Sequence, residues 1–287
     1  MLETYIIYAI LSAIFAGLFS FVWKISAEKN HSSFIAIWYA FLSSAFFSGI
    51  FLIFENWNFQ PLWLLFLLAL WNGTLYMVSL VTRNSALKHI DSSIYFPIYK
   101  VLAWMIVTFM WFFIFKENLS HWELLWIIIW MFIPLILITK KENSVQKNLK
   151  QGVILAIIWA IFGAITISFG KILVINNLSP IAYVAIGWII GGVLSLKLGQ
   201  EKFKNVIKIS HNRIKRYALI GGLFLFLAMY TFINALKGNI AIAYTINSFS
   251  ILIPIILSVI FYQEKLDIKK TIVILLSIVS IVLFKVF

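Results

Sequence analysis

Long apolar runs alternate with short polar links along the whole chain. Ten runs are predicted to form membrane-spanning helices: 4–23, 33–54, 61–82, 92–115, 121–139, 151–173, 179–197, 217–236, 240–262 and 268–286. A spanning helix needs about 20 residues, so ten of them with short links use most of the 287 residues. Apolar and polar residues do not alternate within the runs, which excludes the strands of an outer-membrane barrel. The pattern predicts an all-α polytopic membrane protein with ten transmembrane helices.

The two halves of the chain resemble each other on either side of a polar link at 140–150. Three pairs of short motifs recur in the same order: Ser20-Phe21 with Ser168-Phe169, Ala86-Leu87-Lys88 with Ala235-Leu236-Lys237, and Glu117 with Glu264. The last pair is 147 residues apart, and the other offsets lie within two residues of that value. Each half holds five predicted helices, an odd number, so two copies must be inverted in the membrane. We predict a first five-helix repeat over residues 1–143 and a second, inverted repeat over 144–287, with substrate held between them near the midplane.

Composition agrees with a membrane protein. Hydrophobic residues make up 63% and charged residues 11% of the chain, with a mean hydropathy of +1.00, whereas about a quarter of a soluble domain is charged. The net charge of +13 is spread over the links and forms no basic domain. We therefore predict contact with the lipid bilayer and no nucleic-acid partner. The chain has no cysteine, so neither disulfides nor thiolate metal sites are expected.

Lysine and arginine are concentrated in alternate links, those that follow the first, third, fifth, seventh and ninth runs. The positive-inside rule places these links in the cytoplasm and both termini outside. The most basic link, 198–216, either lies flat on the cytoplasmic leaflet with its apolar side down or forms a disordered loop. The first residues lack the positive region of a signal peptide, so we predict that the first run is a retained helix.

One formal charge, Lys100, lies deep in the fourth run. A charged side chain near the bilayer centre costs about 2.5–3.5 kcal/mol on insertion scales, so it should face a bundle interior, a watery cavity or a partner. Helical spacing places Trp104, Thr108 and Trp111 on the same face. We predict that this face lines a translocation cavity. The alternative is a lysine that snorkels to the interface or pairs with a distant carboxylate.

Other runs also carry polar stripes at helical spacing. They are Asn72, Tyr76, Ser79 and Arg83 in the third run, Tyr230 and Asn234 in the eighth, and Tyr244, Asn247 and Ser248 in the ninth. Such stripes should face protein or water, and they serve either solute binding or helix–helix hydrogen bonding. Asn247 lies 147 residues after Lys100, so the repeats would bring a lysine and an amide to related positions near the pseudo-axis.

Prolines and glycines predict local features of the helices. Pro97, Pro134 and Pro254 lie inside runs and should kink them. Gly187-x-x-x-Gly191 predicts either close helix packing or dimerisation, with a chance occurrence as the alternative.

The sequence lacks the motifs of several enzyme classes. No Walker-type phosphate loop occurs, the four histidines have no metal-ligand spacing, and the runs hold no nucleophile–base pair. We therefore predict a protein that is not an enzyme and binds no cofactor or metal.

Each repeat has Ala-Leu-Lys before its fourth helix and a glutamate after it, namely Ala86-Leu87-Lys88 with Glu117 and Ala235-Leu236-Lys237 with Glu264. This layout resembles the drug/metabolite transporter superfamily, in particular its bacterial ten-helix EamA-like group. The glycine that usually precedes the glutamate is replaced by Lys116 and Gln263. The resemblance implies a multi-pass protein of the bacterial inner membrane that exports small metabolites such as amino acids. It also implies a central cavity formed mainly by the first, third, fourth, sixth, eighth and ninth helices.

Two further points of comparison bear on mechanism and topology. Small four-helix relatives that expel cations use a glutamate in their first helix, and this chain has no carboxylate inside its first run. Cationic drug efflux by that mechanism is therefore not expected. Family members are often drawn with cytoplasmic termini, whereas the charges of this chain predict the opposite.

Together these features predict secondary transport, in the export direction, of an amino acid or another small carboxylate-bearing solute by alternating access. The predicted substrate-binding residues are Lys100, Trp104, Tyr99, Asn72, Tyr76, Tyr244, Asn247 and Asn234. The anionic group is placed near Lys100 and the apolar part against Trp104 and Tyr99. Two alternatives stay open: a flippase for lipid-linked sugars or headgroups, with a lateral opening, and a membrane scaffold whose Lys100 packs without a cavity. The predicted assembly is a monomer or a homodimer.

Overall fold

The computed structural model describes residues 2–28, 32–54, 61–90, 92–116, 120–121, 125, 128–129, 148–200, 208–262, 268, 271–272 and 275–276. In chain order its helices are α1 Leu2–Glu28, α2 Ser33–Leu52, α3 Leu62–His89, α4 Ser92–Met110, α5 Leu149–Ile175, α6 Pro180–Leu198, α7 Lys208–Ala235, α8 Ile240–Ser248 and α9 Leu252–Tyr262. A wide π-helical turn, Trp111–Phe115, continues α4. A 3-10 turn, Phe249–Ile251, joins α8 to α9. The residues described here contain no strand.

Eight stretches of these helices are long and apolar enough to cross a membrane. They correspond to the first four predicted runs and to the sixth to ninth, which confirms the all-α membrane-spanning class. The predicted fifth and tenth runs, 121–139 and 268–286, lie largely outside the described residues. The count of ten helices therefore stays a prediction.

Two helices extend into segments that the sequence predicts as links. Helix α3 runs on to His89 instead of ending near residue 82. Arg83 is consequently part of a helix and only 3% exposed, so it is not the exposed loop residue that the charge count assumed. Helix α7 begins at Lys208. The described part of the basic link at 208–216 thus extends a spanning helix and does not form a separate surface helix. The end of an apolar run marks where a span meets polar surroundings. The helix itself continues past that point, because its backbone hydrogen bonds do not depend on apolar side chains.

The kink predicted at Pro254 coincides with the turn between α8 and α9. Proline lacks an N–H, and its ring clashes with the carbonyl four residues earlier, here that of Ser250. Ser250 lies in the 3-10 turn that interrupts the ninth predicted helix. Helix α4, in contrast, continues through Pro97, and Pro134 lies outside the described residues.

Helices of the first half pack chiefly on helices of the second half. Helix α1 lies against α7, α8 and α9, α2 lies against α6 and α7, α3 lies against α5 and α6, and α4 lies against α5. Two apolar clusters result, one around α4, α5 and α8 and the other around α2, α3, α6 and α7. Both clusters draw side chains from residues before and after the 140–150 link.

Helices α3 and α6 approach each other closely at glycine residues. A Cβ atom added at Gly73 would overlap the carbonyl oxygen of Gly187, and one added at Gly191 would lie 2.6 Å from the Gly73 oxygen. Small residues allow such contact between membrane helices. The close packing predicted for Gly187-x-x-x-Gly191 is thus found within a single chain.

Replacing Gly73 by leucine should separate α3 from α6. Overpacking typically costs about 1–3 kcal/mol, and here the obstacle is backbone that cannot rotate away, so we expect a large fall in melting temperature in detergent. Gly49→Leu is the matched control, since a Cβ at Gly49 meets no atom within 4 Å. Equal melting temperatures for the two variants would contradict the packing described here.

Candidate substrate-binding cavity

A cavity of about 100 Å³ lies where α1, α3, α4, α5, α7 and α8 meet. Its polar lining residues are Ser12, Ser20, Tyr76, Ser79, Arg83, Tyr99, Lys100, Thr166, Tyr183, Tyr244, Asn247 and Ser250. A water molecule needs roughly 10–15 Å³ on this measure, so the cavity has room for several waters or one small solute. Both halves of the chain contribute to its wall.

Lys100 reaches this cavity from α4 and is 5% exposed. Its ammonium nitrogen lies 5.5 Å from the ring centroid of Tyr99 and 5.6 Å from that of Tyr244. Cations are attracted to the faces of aromatic rings at such distances. Within the described part of the chain this ammonium has no hydrogen bond or ion pair. The two rings thus partly replace the hydration of the ammonium, but no negative charge among the described residues compensates it.

A second cation, Arg83, lines the same cavity from α3. Its guanidinium carbon lies 5.9 Å from the ring centroid of Phe19. The described residues that line the cavity include no aspartate or glutamate. The formal charges of the described lining residues are therefore both positive.

A hydrogen-bonded chain beside the cavity joins the two halves. The Asn247 side-chain amide donates to the Ser12 hydroxyl over 2.7 Å, and that hydroxyl donates to the Ala228 carbonyl over 3.1 Å. These three residues lie on α8, α1 and α7. All three line the cavity, so the network fixes three of its walls relative to one another.

Five of the eight predicted site residues line the cavity: Lys100, Tyr99, Tyr76, Tyr244 and Asn247. Whether they bind a solute stays a prediction.

The other three predicted residues are not among those that line it. The Trp104 indole N–H donates to the Thr245 hydroxyl over 3.2 Å, and the Asn234 amide donates to the Tyr230 carbonyl over 2.9 Å. Asn72 is fully buried where α3 meets Gly187. Lys100 and Trp111 are eleven residues apart, which is roughly 16 Å along a helix. One helix face therefore extends well past a cavity of this size.

Several lining residues are absent from the predicted site. Arg83 belongs to a polar stripe that the sequence offered for solute binding or helix contact, whereas the sequence analysis missed Ser12, Ser20, Trp159, Thr166 and Tyr183. The repeat offset carries a signal that could have found four lining pairs, because residues 147 apart face the cavity together: Ser12 and Trp159, Ala16 and Gly163, Phe19 and Thr166, and Ser20 and Ile167. Lys100 and Asn247 are related in the same way.

Lys171 binds the turn that follows α7, beside the cavity. Its ammonium donates to the carbonyls of Leu236 and Gly238 over 3.0 and 2.8 Å, and the side chain is 7% exposed. A cation at a helix C-terminus satisfies carbonyls that have no partner within the helix. Leu236 itself lines the cavity. Lys171 therefore holds in place a turn that forms part of the cavity wall.

Lys171→Met keeps most of the side-chain stem but removes both bonds. Hydrogen bonds to charged groups contribute about 1.5–3 kcal/mol, so the melting temperature of the purified protein should fall by several degrees. Lys237→Met, at an exposed lysine of the same turn, should leave it unchanged. A melting temperature equal to wild type for Lys171→Met would show that this lysine does not stabilise the turn.

Comparison with known proteins relates the second half of the chain to a family. Residues 150–286 match the model of the EamA-like transporter family. No curated protein matches the chain by sequence. Among solved structures, one described as "Crystal structure of protein" aligns over 94% of this chain and 95% of its own, with a TM-score of 0.72 and 13% identity. At that identity the likeness establishes the fold alone.

The second half of the chain thus matches the EamA-like transporter family, which is part of the drug/metabolite transporter superfamily. This confirms the resemblance to the family, whereas the ten-helix detail stays a prediction. Taken with eight long apolar helices, the match indicates a multi-pass membrane transporter of the drug/metabolite type. Members of this class are generally not enzymes.

Proposed function

We propose that the protein is a secondary transporter that exports a small carboxylate-bearing metabolite across the bacterial inner membrane. The observation that carries this proposal is the buried Lys100 ammonium at a cavity large enough for a small solute. A scaffold would have packed Lys100 without such a cavity. The family match and the helices support a multi-pass membrane transporter, whereas the bacterial inner membrane, the solute and the direction belong to the proposal.

The solute's anionic group lies against Lys100 in this mechanism. A buried cation is destabilising in the membrane interior, and a carboxylate that binds there compensates its charge. Tyr99 and Trp159, whose ring centroids are 4.1 Å apart, both line the cavity and accommodate the apolar part of the solute. Trp159 thereby takes the role that the sequence assigned to Trp104.

Alternating access follows from two inverted halves that exchange conformations around the cavity. The helix contacts support this inference, because the contacts between the two halves occur in equivalent pairs. With α1 equivalent to α5 and α3 equivalent to α7, the contact of α1 with α7 corresponds to that of α5 with α3. In the same way, the contact of α4 with α5 corresponds to that of α8 and α9 with α1.

The orientation in the membrane rests on the charges of the links. Removing the buried Arg83 from the count leaves the strong excess of lysine and arginine in the alternate links, chiefly in 198–216. We therefore propose that both termini lie outside the cell. A monomer contains the whole cavity, and a homodimer of such units is compatible with the same mechanism.

The proposal predicts that transport depends on Lys100. A thermal-shift screen against metabolites identifies solutes that bind the native state and raise its melting temperature. Counterflow of those solutes into proteoliposomes then compares wild type with Lys100→Ala and Lys150→Gln. We expect the alanine variant to lose at least nine-tenths of the uptake of anionic or zwitterionic solutes, because their carboxylate loses its counter-charge.

Lys150→Gln is the control, since Lys150 is exposed and is not among the residues that line the cavity. It should transport as wild type does. Unchanged uptake by Lys100→Ala, with the variant correctly folded, would refute the role given to Lys100.

A further inference from the structure

One repeated motif of the sequence has no part in the proposed solute site. Ser20-Phe21 and Ser168-Phe169 are each followed by a lysine, Lys24 in α1 and Lys171 in α5, and these lysines are 147 residues apart. Lys171 is 7% exposed and lies within a membrane span. It is not among the residues that line the cavity. Its buried charge therefore calls for a role other than solute binding.

The bonds of Lys171 cross from one wall of the cavity to another. Helix α5 packs mainly on α3 and α4, whereas α7 packs mainly on α1 and α2, and direct contact between α5 and α7 is limited. The Lys171 ammonium, on α5, donates to the carbonyls of Leu236 and Gly238, where α7 ends. Lys171 thus joins two walls that pack on different partners.

These two walls also touch beside Lys171, at one end of the cavity. Gly170 and Leu236 both line the cavity, and a Cβ atom added at Gly170 would lie 2.9 Å from the Leu236 Cδ1 atom. The part of α5 that follows Gly170 contributes nothing more to the lining. The cavity therefore ends where the two helices touch, and Lys171 lies at that end.

A contact biases a conformational equilibrium only if it differs between the two conformations. The bonds of Lys171 meet this condition, because separating α5 from α7 at this end would break both of them. Hydrogen bonds from a charged donor are stronger than those between neutral groups, so they favour the closed arrangement. Water can replace them once the end opens, which keeps the opening reversible.

We propose that Lys171 is the latch of a gate at this end of the cavity, and that its bonds to the turn after α7 break when the cavity opens there. The inference rests on the proposed transport function, because alternating access requires each end of the cavity to open in turn. With both termini outside, as proposed, this end faces the outside of the cell. Lys171 is thus a positioning residue of the transport cycle.

The inverted repeat supplies a counterpart for the opposite end. Lys24 in α1 corresponds to Lys171 in α5, and Ala86-Leu87-Lys88 at the end of α3 corresponds to Ala235-Leu236-Lys237 at the end of α7. Inversion carries the equivalent contact to the other side of the membrane. Lys24 accordingly serves the cytoplasmic end, through the turn that follows α3.

Thiol labelling from each side of the membrane tests the latch without a known solute. Thr166→Cys places a single thiol on α5 at the cavity, since the chain has no cysteine. A membrane-impermeant maleimide is added to right-side-out and to inside-out vesicles. In this background Lys171→Met should raise the labelling rate from the outside at least threefold, and should not raise it from the cytoplasmic side, because the loss of both bonds shifts the population towards the outward-open conformation.

Three further variants separate gating from a general loss of stability. Lys171→Arg keeps the charge and the donors and should retain most of the wild-type ratio between the two sides. Lys237→Met, at an exposed lysine of the same turn, should leave the ratio unchanged. Lys24→Met should shift labelling the opposite way, towards the cytoplasmic side. Melting temperatures are measured for all variants, since a lysine with a purely structural role would lower the melting temperature without changing the ratio.

A disulfide across the gate provides a test even if Lys171→Met does not fold. Gly170→Cys combined with Leu236→Cys is oxidised in proteoliposomes, and counterflow of a solute from the thermal-shift screen is measured before and after reduction. We expect the oxidised pair to lose at least nine-tenths of the transport and the reductant to restore it, because this end can no longer open. Each single cysteine variant, treated in the same way, is the control.

Four results would overturn the inference. They are an unchanged labelling ratio in folded Lys171→Met, the same shift from Lys24→Met as from Lys171→Met, failure of the cysteine pair to form its disulfide, and full transport by the oxidised pair. Carboxylate transport that depends on Lys100, together with an unchanged labelling ratio, would overturn the gate and leave the proposed function intact. The expected shift in labelling without transport of any carboxylate-bearing solute would do the reverse.

Discussion

A positive charge in the hydrocarbon of a membrane is destabilising unless protein, water or a ligand replaces its hydration. Lys100 meets this constraint with two tyrosine rings and a cavity. Arg83 adds a second cation to the same space. The described spans contain no acidic residue. In the proposed mechanism the solute supplies the negative charge that compensates Lys100.

The packing of the helices makes that cavity possible. Its walls belong to helices of both halves, and the helices of each half pack mainly on those of the other. Close contact between Gly73 and Gly187 holds the halves together away from the cavity. Hydrogen bonds from Asn247 through Ser12 fix the walls beside it. The cavity and the contacts between halves are therefore parts of one structure, which the proposed rocking mechanism requires.

The prediction from sequence was most accurate where a residue differs chemically from its neighbours in the chain. Lys100 is a lone charge in a long apolar run, and the structure places it at a cavity. Arg83 was counted with the link after the third run although it also lies on the polar stripe of that run, and the continuation of α3 shows it to be buried. Spacing along one helix also cannot tell which neighbour a side chain meets. Trp104 shares a face with Lys100, yet its indole bonds to Thr245 on α8.

The predicted repeat identifies cavity residues that the spacing within single helices does not. Trp159 and Thr166 stand out in their helix only after the 147-residue offset relates them to Ser12 and Phe19. The cavity could therefore have been predicted more fully by transferring candidate positions from one half to the other. Close backbone contacts such as that of Gly73 with Gly187 depend on the three-dimensional crossing of two helices, which the pattern of small residues only suggests.

The most direct test of the central claim measures charge inside the cavity. The chain has no cysteine, so Ser20→Cys introduces a single thiol at the cavity wall, while Ile14→Cys places one on the outward side of α1, at a residue that is 40% exposed. Labelling rates are compared for a negatively charged sulfonate reagent and a positively charged trimethylammonium reagent, each relative to its rate with a free thiol in water.

The account predicts that the Ser20→Cys thiol reacts preferentially with the negative reagent, that Lys100→Gln weakens this preference, and that Ile14→Cys stays unlabelled in the bilayer. No reaction at Ser20→Cys, or equal relative rates for the two reagents, would contradict a solvent-accessible cavity in which the Lys100 ammonium sets the charge.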